Sequence, residues 1–344
     1  MEAQKCVVPF GALVTPRKVL PEMPVVPYDP VRCKGCAACL NPYARVDFTA
    51  KLWICPFCYT RNHFPQHYAS ISETNLPAEL FPTYTTIEYQ LQRPAAAPPA
   101  YLFVVDVCLI EEELGALKQS LTQALSLLPE NASVGLITFG THVHVHELGF
   151  DECPKSYVFR GSKEFTSQQI QDQLFRSAGG ARPAKPGQAA AAVTGHQSKF
   201  LVPLADCEFQ LTSVLEELSR DSFSALPDCR PARCTGTAVS VAATLLASSV
   251  SNTPARALLF VGGPATDGGG QVVGKELETA MRSHKDIAKG AAPFMAKATK
   301  YYETVATQLC TNGHCLDVFA CSLDQVGLAE MKVCAEKTGG MVVL

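Results

Sequence analysis

Five cysteines fall within "CKGCAACLNPYARVDFTAKLWICPFC", residues 33–58, and a Cys-x-x-Cys pair closes the stretch. Cys33-x2-Cys36, an interval of 18 residues and Cys55-x2-Cys58 match the spacing of a four-thiolate zinc ribbon. Each pair turns tightly enough to aim two sulfurs at one metal. The β-forming residues between the pairs suit a hairpin joining two knuckles, with Asn41-Pro42 and Pro56 supplying turn chemistry. Four thiolates complete a tetrahedral zinc shell and leave no position for water or substrate. The zinc expected here is therefore structural, folding a small unit with binding energies of order 10–16 kcal/mol. Cys36-x2-Cys39 is a second possible first knuckle, and spacing alone does not choose between Cys33 and Cys39.

Other residues with chemical potential sit where strand ends are expected. An open parallel sheet binds ligands at the carboxyl ends of its strands, where Asp106 after the first strand, Thr235 or Thr237 in "CTGTA" and Asp267 in "GGPATDGG" are candidates. Their order resembles the metal-dependent adhesion site of the von Willebrand factor A domain. The first motif of that site, D-x-S-x-S, is here Asp106-Val107-Cys108-Leu109-Ile110, which offers magnesium none of the hydroxyls it needs. The fold is expected without the metal. His142, His144 and His146 fall on one strand face, where a solvated face is the preferred reading over a metal site. Cys310 and Cys315 in "CTNGHC" read as incidental thiols. Residues 282–300 set Arg282, Lys285, Lys289, Lys297 and Lys300 against Asp286, a helical basic face that is solvated or meets an anionic membrane. No G-x-S-x-G, P-loop or G-x-G-x-x-G occurs, and no nucleophile converges with a base, so an enzyme is the weakest class.

The elements that must position these groups follow from hydrophobic pattern. Apolar runs at 101–108, 134–139, 257–263 and 317–321 read as strands buried on both faces. A helix is expected after residue 110, and helical spacing recurs near 208–219, 237–250, 276–288, 294–310 and 324–337. The last is expected to open on a capping box, Ser322-x-x-Gln325, and to stop at Gly339-Gly340, with Met341–Leu344 an apolar strand. Strands alternating with helices specify an α/β domain with a mostly parallel sheet covered on both faces. Residues 91–100 read as a stiff linker and 179–195 as a disordered loop.

Composition narrows the class. The 344 residues carry a net charge of −3, which gives no footing for nucleic-acid binding. No run is long and apolar enough to span a membrane, and the N-terminus lacks a signal-peptide pattern. Fifteen cysteines, mostly single and in apolar contexts, suit free thiols in the cytosol.

The stretches "ARVDFTAKLWICPFCYTRNHFP", "LPAELFPTYTTIEYQL", "SVGLITFGTHVHVHELG", "KSYVFRGSKEF", "ARALLFVGGPATDGGG" and "FACSLDQVGLAEMKVCAEKTGGMVV" run in order through nearly the whole chain. They resemble the COPII inner-coat subunit family, Sec-twenty-three, more than its cargo-binding partner, which shares the zinc-plus-trunk plan. The resemblance implies an extended segment over 1–27 contributing to a β-barrel, and a four-cysteine zinc finger over 28–80. It implies a linker over 81–100 and a von Willebrand A-like trunk over 101–344, incomplete at its C-terminus. It implies structural zinc on Cys33, Cys36, Cys55 and Cys58, with Cys39 a bystander. It also implies a coat component in transport from endoplasmic reticulum to Golgi. That component pairs trunk to trunk with the cargo-binding subunit, binds the GTP form of the small GTPase Sar, and meets outer-coat subunits and the cytosolic face of the membrane. The family speeds GTP hydrolysis on Sar with an arginine finger expected outside these residues, so no catalytic residue is expected here. Asp267 and Gly269 depart from a Gln and a Pro common in the family loop. A metal-dependent A domain and a zinc-ribbon transcription or repair subunit are the competing readings.

Overall fold

A computed structural model describes residues 21–344 apart from 22, 85, 92–97, 151–152, 176–198, 224, 251–252 and 323–324. Most of the expected linker at 91–100, the expected loop at 179–195 and residues 1–20 lie outside the described residues. The chain divides into two compact units, Met1–Ala95 and Ala96–Leu344.

In the first unit, β2 (Arg45–Asp47), β3 (Leu52–Ile54) and β4 (Arg61–His63) form an antiparallel sheet. Its pairing aligns Val46, Trp53 and Asn62 in one row. Trp53 is fully buried, packed with Val31, Leu40, Tyr68, Ile71 and Leu80. The core is small, which is why such a unit needs a staple. Beside it, β1 (Val25–Val26) pairs in parallel with β5 (Glu88–Tyr89).

The second unit is built on an eight-stranded sheet. Five strands run parallel in the order β13 (Val342–Val343), β12 (His314–Ala320), β11 (Ala255–Val261), β6 (Ala100–Asp106) and β7 (Ser133–Phe139). Antiparallel β8 (His142–His146) and β9 (Ser156–Arg160) extend the sheet beyond β7, and β10 (Val202–Pro203) also pairs with β7. Alternate residues of β6 feed opposite cores. Leu102 and Val104 pack under α2 (Ser167–Phe175), α4 (Thr235–Ser249), α6 (Met295–Thr311) and α7 (Leu328–Thr338). Phe103 and Val105 pack under α1 (Glu111–Leu125) and α3 (Leu204–Glu217). Burial on both faces explains the unbroken apolar run in the sequence. Glu111, Glu112 and Glu113 open α1, where the helix dipole favours negative charge.

Three expectations need correction. Residues 276–288 are helical only in α5 (His284–Ala288), and α6 begins separately at Met295 after Gly290 turns the backbone left-handed at φ 68°. Arg282 is buried and forms an ion pair with Glu330 at 2.5 Å, so it is no part of a basic face. The capping box at Ser322 does not form, because α7 opens at Leu328 behind left-handed Gly327. Gln325 accepts from Arg282 instead, and a true capping box links Ser283 with Asp286 at α5.

Candidate functional site

The two Cys-x-x-Cys turns are copies of one another. Ala37 N donates to Cys33 O at 2.8 Å and Tyr59 N to Cys55 O at 3.0 Å. Each turn then closes with the first cysteine's N–H donating two residues past the second, Cys33 N to Ala38 O and Cys55 N to Thr60 O. In each the residue after the second cysteine is left-handed, Ala37 at φ 58° and Tyr59 at φ 59°. An L-residue held there costs about 1–2 kcal/mol, a strain these turns accept at both ends of the hairpin. Cys39 stands apart from this repeat. Its exposed thiol lies outside both turns and outside the metal-competent group.

The Sγ atoms of Cys33, Cys36, Cys55 and Cys58 all lie within 4.8 Å of one another, with Cys33 to Cys58 at 3.4 Å and Cys36 to Cys55 at 3.6 Å. A tetrahedron with zinc–sulfur bonds of about 2.3 Å has sulfurs about 3.8 Å apart, so the four fit that ion. Asn62 Nδ2 and Gly35 N point at Cys33 Sγ at 3.5 and 3.4 Å. Burial raises the Cys33 thiol, but these donors and the Cys36 backbone outweigh it and bring it down to about 6. Gly35 is required by space, since a Cβ there would stand 2.6 Å from Thr60 Oγ1. Four soft donors with no open position leave the ion no catalytic part.

At the carboxyl end of β6, the strand-end carboxylate is neutralised by an arginine. Asp106 is fully buried; its Oδ2 accepts from Arg233 Nε at 2.6 Å and Gly262 N at 2.9 Å, and its Oδ1 from Cys108 N at 2.8 Å. Two of the other sequence candidates are engaged elsewhere. Thr237 Oγ1 donates to Gly161 O, and Asp267 is ion-paired to Lys275 at 2.7 Å. Thr235 Oγ1 finds no hydrogen-bond partner among the described residues. Gly269 admits the ring of Tyr301, which a Cβ would meet at 2.3 Å. Sequence reasoning missed Arg233; the signal was a lone arginine beside the threonine loop in "PARCTGT".

The histidine strand lines a cavity. Val143 and Val145 enter the core, while His142, His144 and His146 line a cavity of about 270 Å³ with Glu217, Arg220 and Asp221. His146 shares a hydrogen bond with Thr138 Oγ1 at 3.0 Å, His144 contacts Ser156 Oγ, and the His142 ring packs on Phe223. Burial, then the neighbouring His144, lowers the His146 pKa to about 4. The face is thus the half-buried wall of an open cavity. Among the described residues, only the four-cysteine group brings three or more metal-binding side chains together. Cys310 and Cys315 donate separately to Lys337 O and Thr338 O, as incidental thiols do.

With this geometry in view, comparison with known proteins gives consistent matches. The model of the Sec23/Sec24 trunk domain matches residues 96–344, and that of the Sec23/Sec24 zinc finger matches residues 30–68. The Arabidopsis thaliana "Protein transport protein SEC23 F" is 52% identical over 351 residues, an alignment covering 100% of this chain and 46% of that protein. The chain therefore spans about half the length of this relative. The crystal structure of the human COPII-coat protein Sec24c superposes with a TM-score of 0.58 at 17% identity, covering 96% of this chain and 42% of that one. At that identity the likeness speaks for the fold alone: a mixed α/β, von Willebrand A-like trunk preceded by a zinc finger with one structural four-cysteine site.

Proposed function

The chain belongs to the Sec23 family, and from that premise we propose that it works as a component of the COPII coat in transport from endoplasmic reticulum to Golgi. Its trunk pairs with the cargo-binding coat subunit, and the pair binds GTP-loaded Sar at the cytosolic face of the membrane, where outer-coat subunits join. Cys33, Cys36, Cys55 and Cys58 hold the structural zinc. Stimulation of GTP hydrolysis on Sar belongs to the family's arginine finger. The chain contributes contact surface to the coat.

The observation that carries this reading is the 52% identity across the whole chain. The site chemistry supports it: a closed thiolate shell and an arginine-filled strand end suit a scaffold. Recruitment to liposomes bearing Sar tests it. Together with the cargo-binding subunit, the chain is expected to sediment with vesicles carrying GTP-loaded Sar and to stay in solution with the GDP form. Equal sedimentation in both nucleotide states, or none in either, contradicts the proposal.

A further inference from the structure

We propose that the zinc-bearing unit carries a pocket for the ammonium head of a partner's lysine, walled by Tyr28, His67 and Tyr68 in front of the buried carboxylate of Glu79. This goes beyond the coat reading and does not depend on it. Glu79 is 1% exposed and sits on a short helical turn, Ala78–Leu80. Its oxygens accept from Tyr68 Oη at 2.7 Å, Tyr28 Oη at 3.2 Å and Tyr89 Oη at 3.4 Å. Among the described residues no lysine, arginine or histidine stands within ion-pair distance of it. Lys51, in the same unit, gives its ammonium to the carbonyl of Ile71 at 2.5 Å. A buried carboxylate held by neutral donors alone leaves a negative field that a cation would relieve.

The phenols transmit that field. Each hydroxyl that donates to Glu79 leaves its ring richer in electrons, and a ring face attracts a cation through its quadrupole. Burial above all keeps Tyr28 and Tyr68 protonated as donors. In front of them lies a cavity of about 210 Å³ lined by Tyr28, His67, Tyr68, Ile71, Asn75 and Leu76 among others. Tyr28 stands 5.5 Å from His67 and 6.0 Å from Tyr68 between ring centroids, so the three form one continuous wall. The volume equals about seven waters at about 30 Å³ each, room for a lysine side chain. Ile71 and Leu76 give its methylenes apolar contact.

The polar groups choose among cations. Asn75 Nδ2 donates to Ser70 O at 3.0 Å, and Asn75 Oδ1 has no partner among the described residues. These carbonyl oxygens suit an ammonium with N–H donors. A quaternary ammonium, as in choline, has none to offer them. A guanidinium favours a carboxylate it can grip with two N–H groups, and Glu79 is screened by its phenols.

The test is a titration of the zinc-loaded full chain, with isotope-labelled isoleucine and leucine methyls, followed by NMR. The probes are Nα-acetyl-lysine methylamide, its norleucine analogue and tetramethylammonium. The lysine probe is expected to shift the Ile71 methyl saturably, and the norleucine probe is not. Glu79→Gln should weaken the lysine probe roughly fivefold or more. His67→Ala, at an exposed ring, should weaken it without touching the Glu79 network, and it decides the matter if Glu79→Gln loses zinc or fold. Equal shifts from norleucine, no saturable shift, or undiminished binding by folded variants overturns the pocket. Tighter binding of tetramethylammonium overturns the lysine assignment in favour of choline heads.

Discussion

Arg233 Nε lies 2.6 Å from Asp106 Oδ2, and the two side chains are 6% and 0% exposed. A guanidinium tethered by the chain neutralises the carboxylate at the strand end where a related fold would place a metal. Because the pair is buried, removing one partner strands a charge. Arg233→Met is expected to destabilise the second unit by about 3–5 kcal/mol, and Asp106→Asn added to it should recover part of the loss. Urea unfolding measures both. Millimolar magnesium should neither rescue the single variant nor raise the wild-type midpoint, since Cys108 and Ile110 offer no hydroxyl. A magnesium-dependent rise in either midpoint would contradict this assignment.

The repeated turns predict an asymmetric cysteine series. Ser at Cys33, Cys36, Cys55 or Cys58 should abolish stoichiometric zinc and unfold the first unit, because most of its stability comes with the metal. Cys39→Ser should keep one zinc per chain. Elemental analysis of the purified variants decides it; zinc lost on Cys39→Ser and kept on Cys33→Ser would reverse the assignment of the first knuckle.

Acid should weaken the trunk through His146. Its folded pKa of about 4 lies below the ordinary 6.5, so the unfolded chain binds the proton more readily. The stability of holding His146 neutral is complete above pH 6.5 and is lost as pH falls towards 4. Full burial would make this about 3 kcal/mol, and about 2 kcal/mol is expected because part of the ring borders the open cavity. The charges around it are His142, His144, Glu217, Arg220, Asp221 and Lys155. His146→Gln should flatten the dependence of the urea midpoint between pH 6.5 and 4.5. An unchanged slope in that variant would remove His146 as the cause.

Arg282 predicts a link between the region before α5 and helix α7. It donates to both carboxylate oxygens of Glu330, at 2.6 and 2.5 Å. Glu330→Gln should cost about 3 kcal/mol or more, whereas Lys289→Gln on the exposed surface should change stability by less than about 0.5 kcal/mol. Comparable losses for the two would show Arg282 to be solvated.

What the sequence disclosed followed from its physical regularity. Thiol spacing alone located the zinc site, and the apolar runs of β6, β7, β11 and β12 located the parallel sheet, because burial on both faces leaves no polar interruption. β9 and α2 stayed hidden: in Ser156–Arg160 the exposed Val158 breaks the apolar–polar alternation of an edge strand, and α2 is short and polar. Arg233 and Glu79 were illegible for a different reason. Arg233's partner Asp106 lies 127 residues away, and Glu79's phenols come from three separate segments, Tyr28 lying 51 residues away and Tyr68 11. Both spacings are Cys-x-x-Cys, so spacing left Cys33 and Cys39 open; the family resemblance favoured Cys33, and the backbone repeat supports that proposal.

The central proposal is that this Sec23-family chain pairs through its trunk with the cargo-binding coat subunit. Size-exclusion chromatography with light scattering, on the zinc-loaded chain mixed with that subunit, tests it most directly. The predicted result is a 1:1 complex whose mass exceeds that of the partner by about the 37.0 kDa of this chain. Two separate peaks at micromolar concentration, from chains that are both folded, would contradict it.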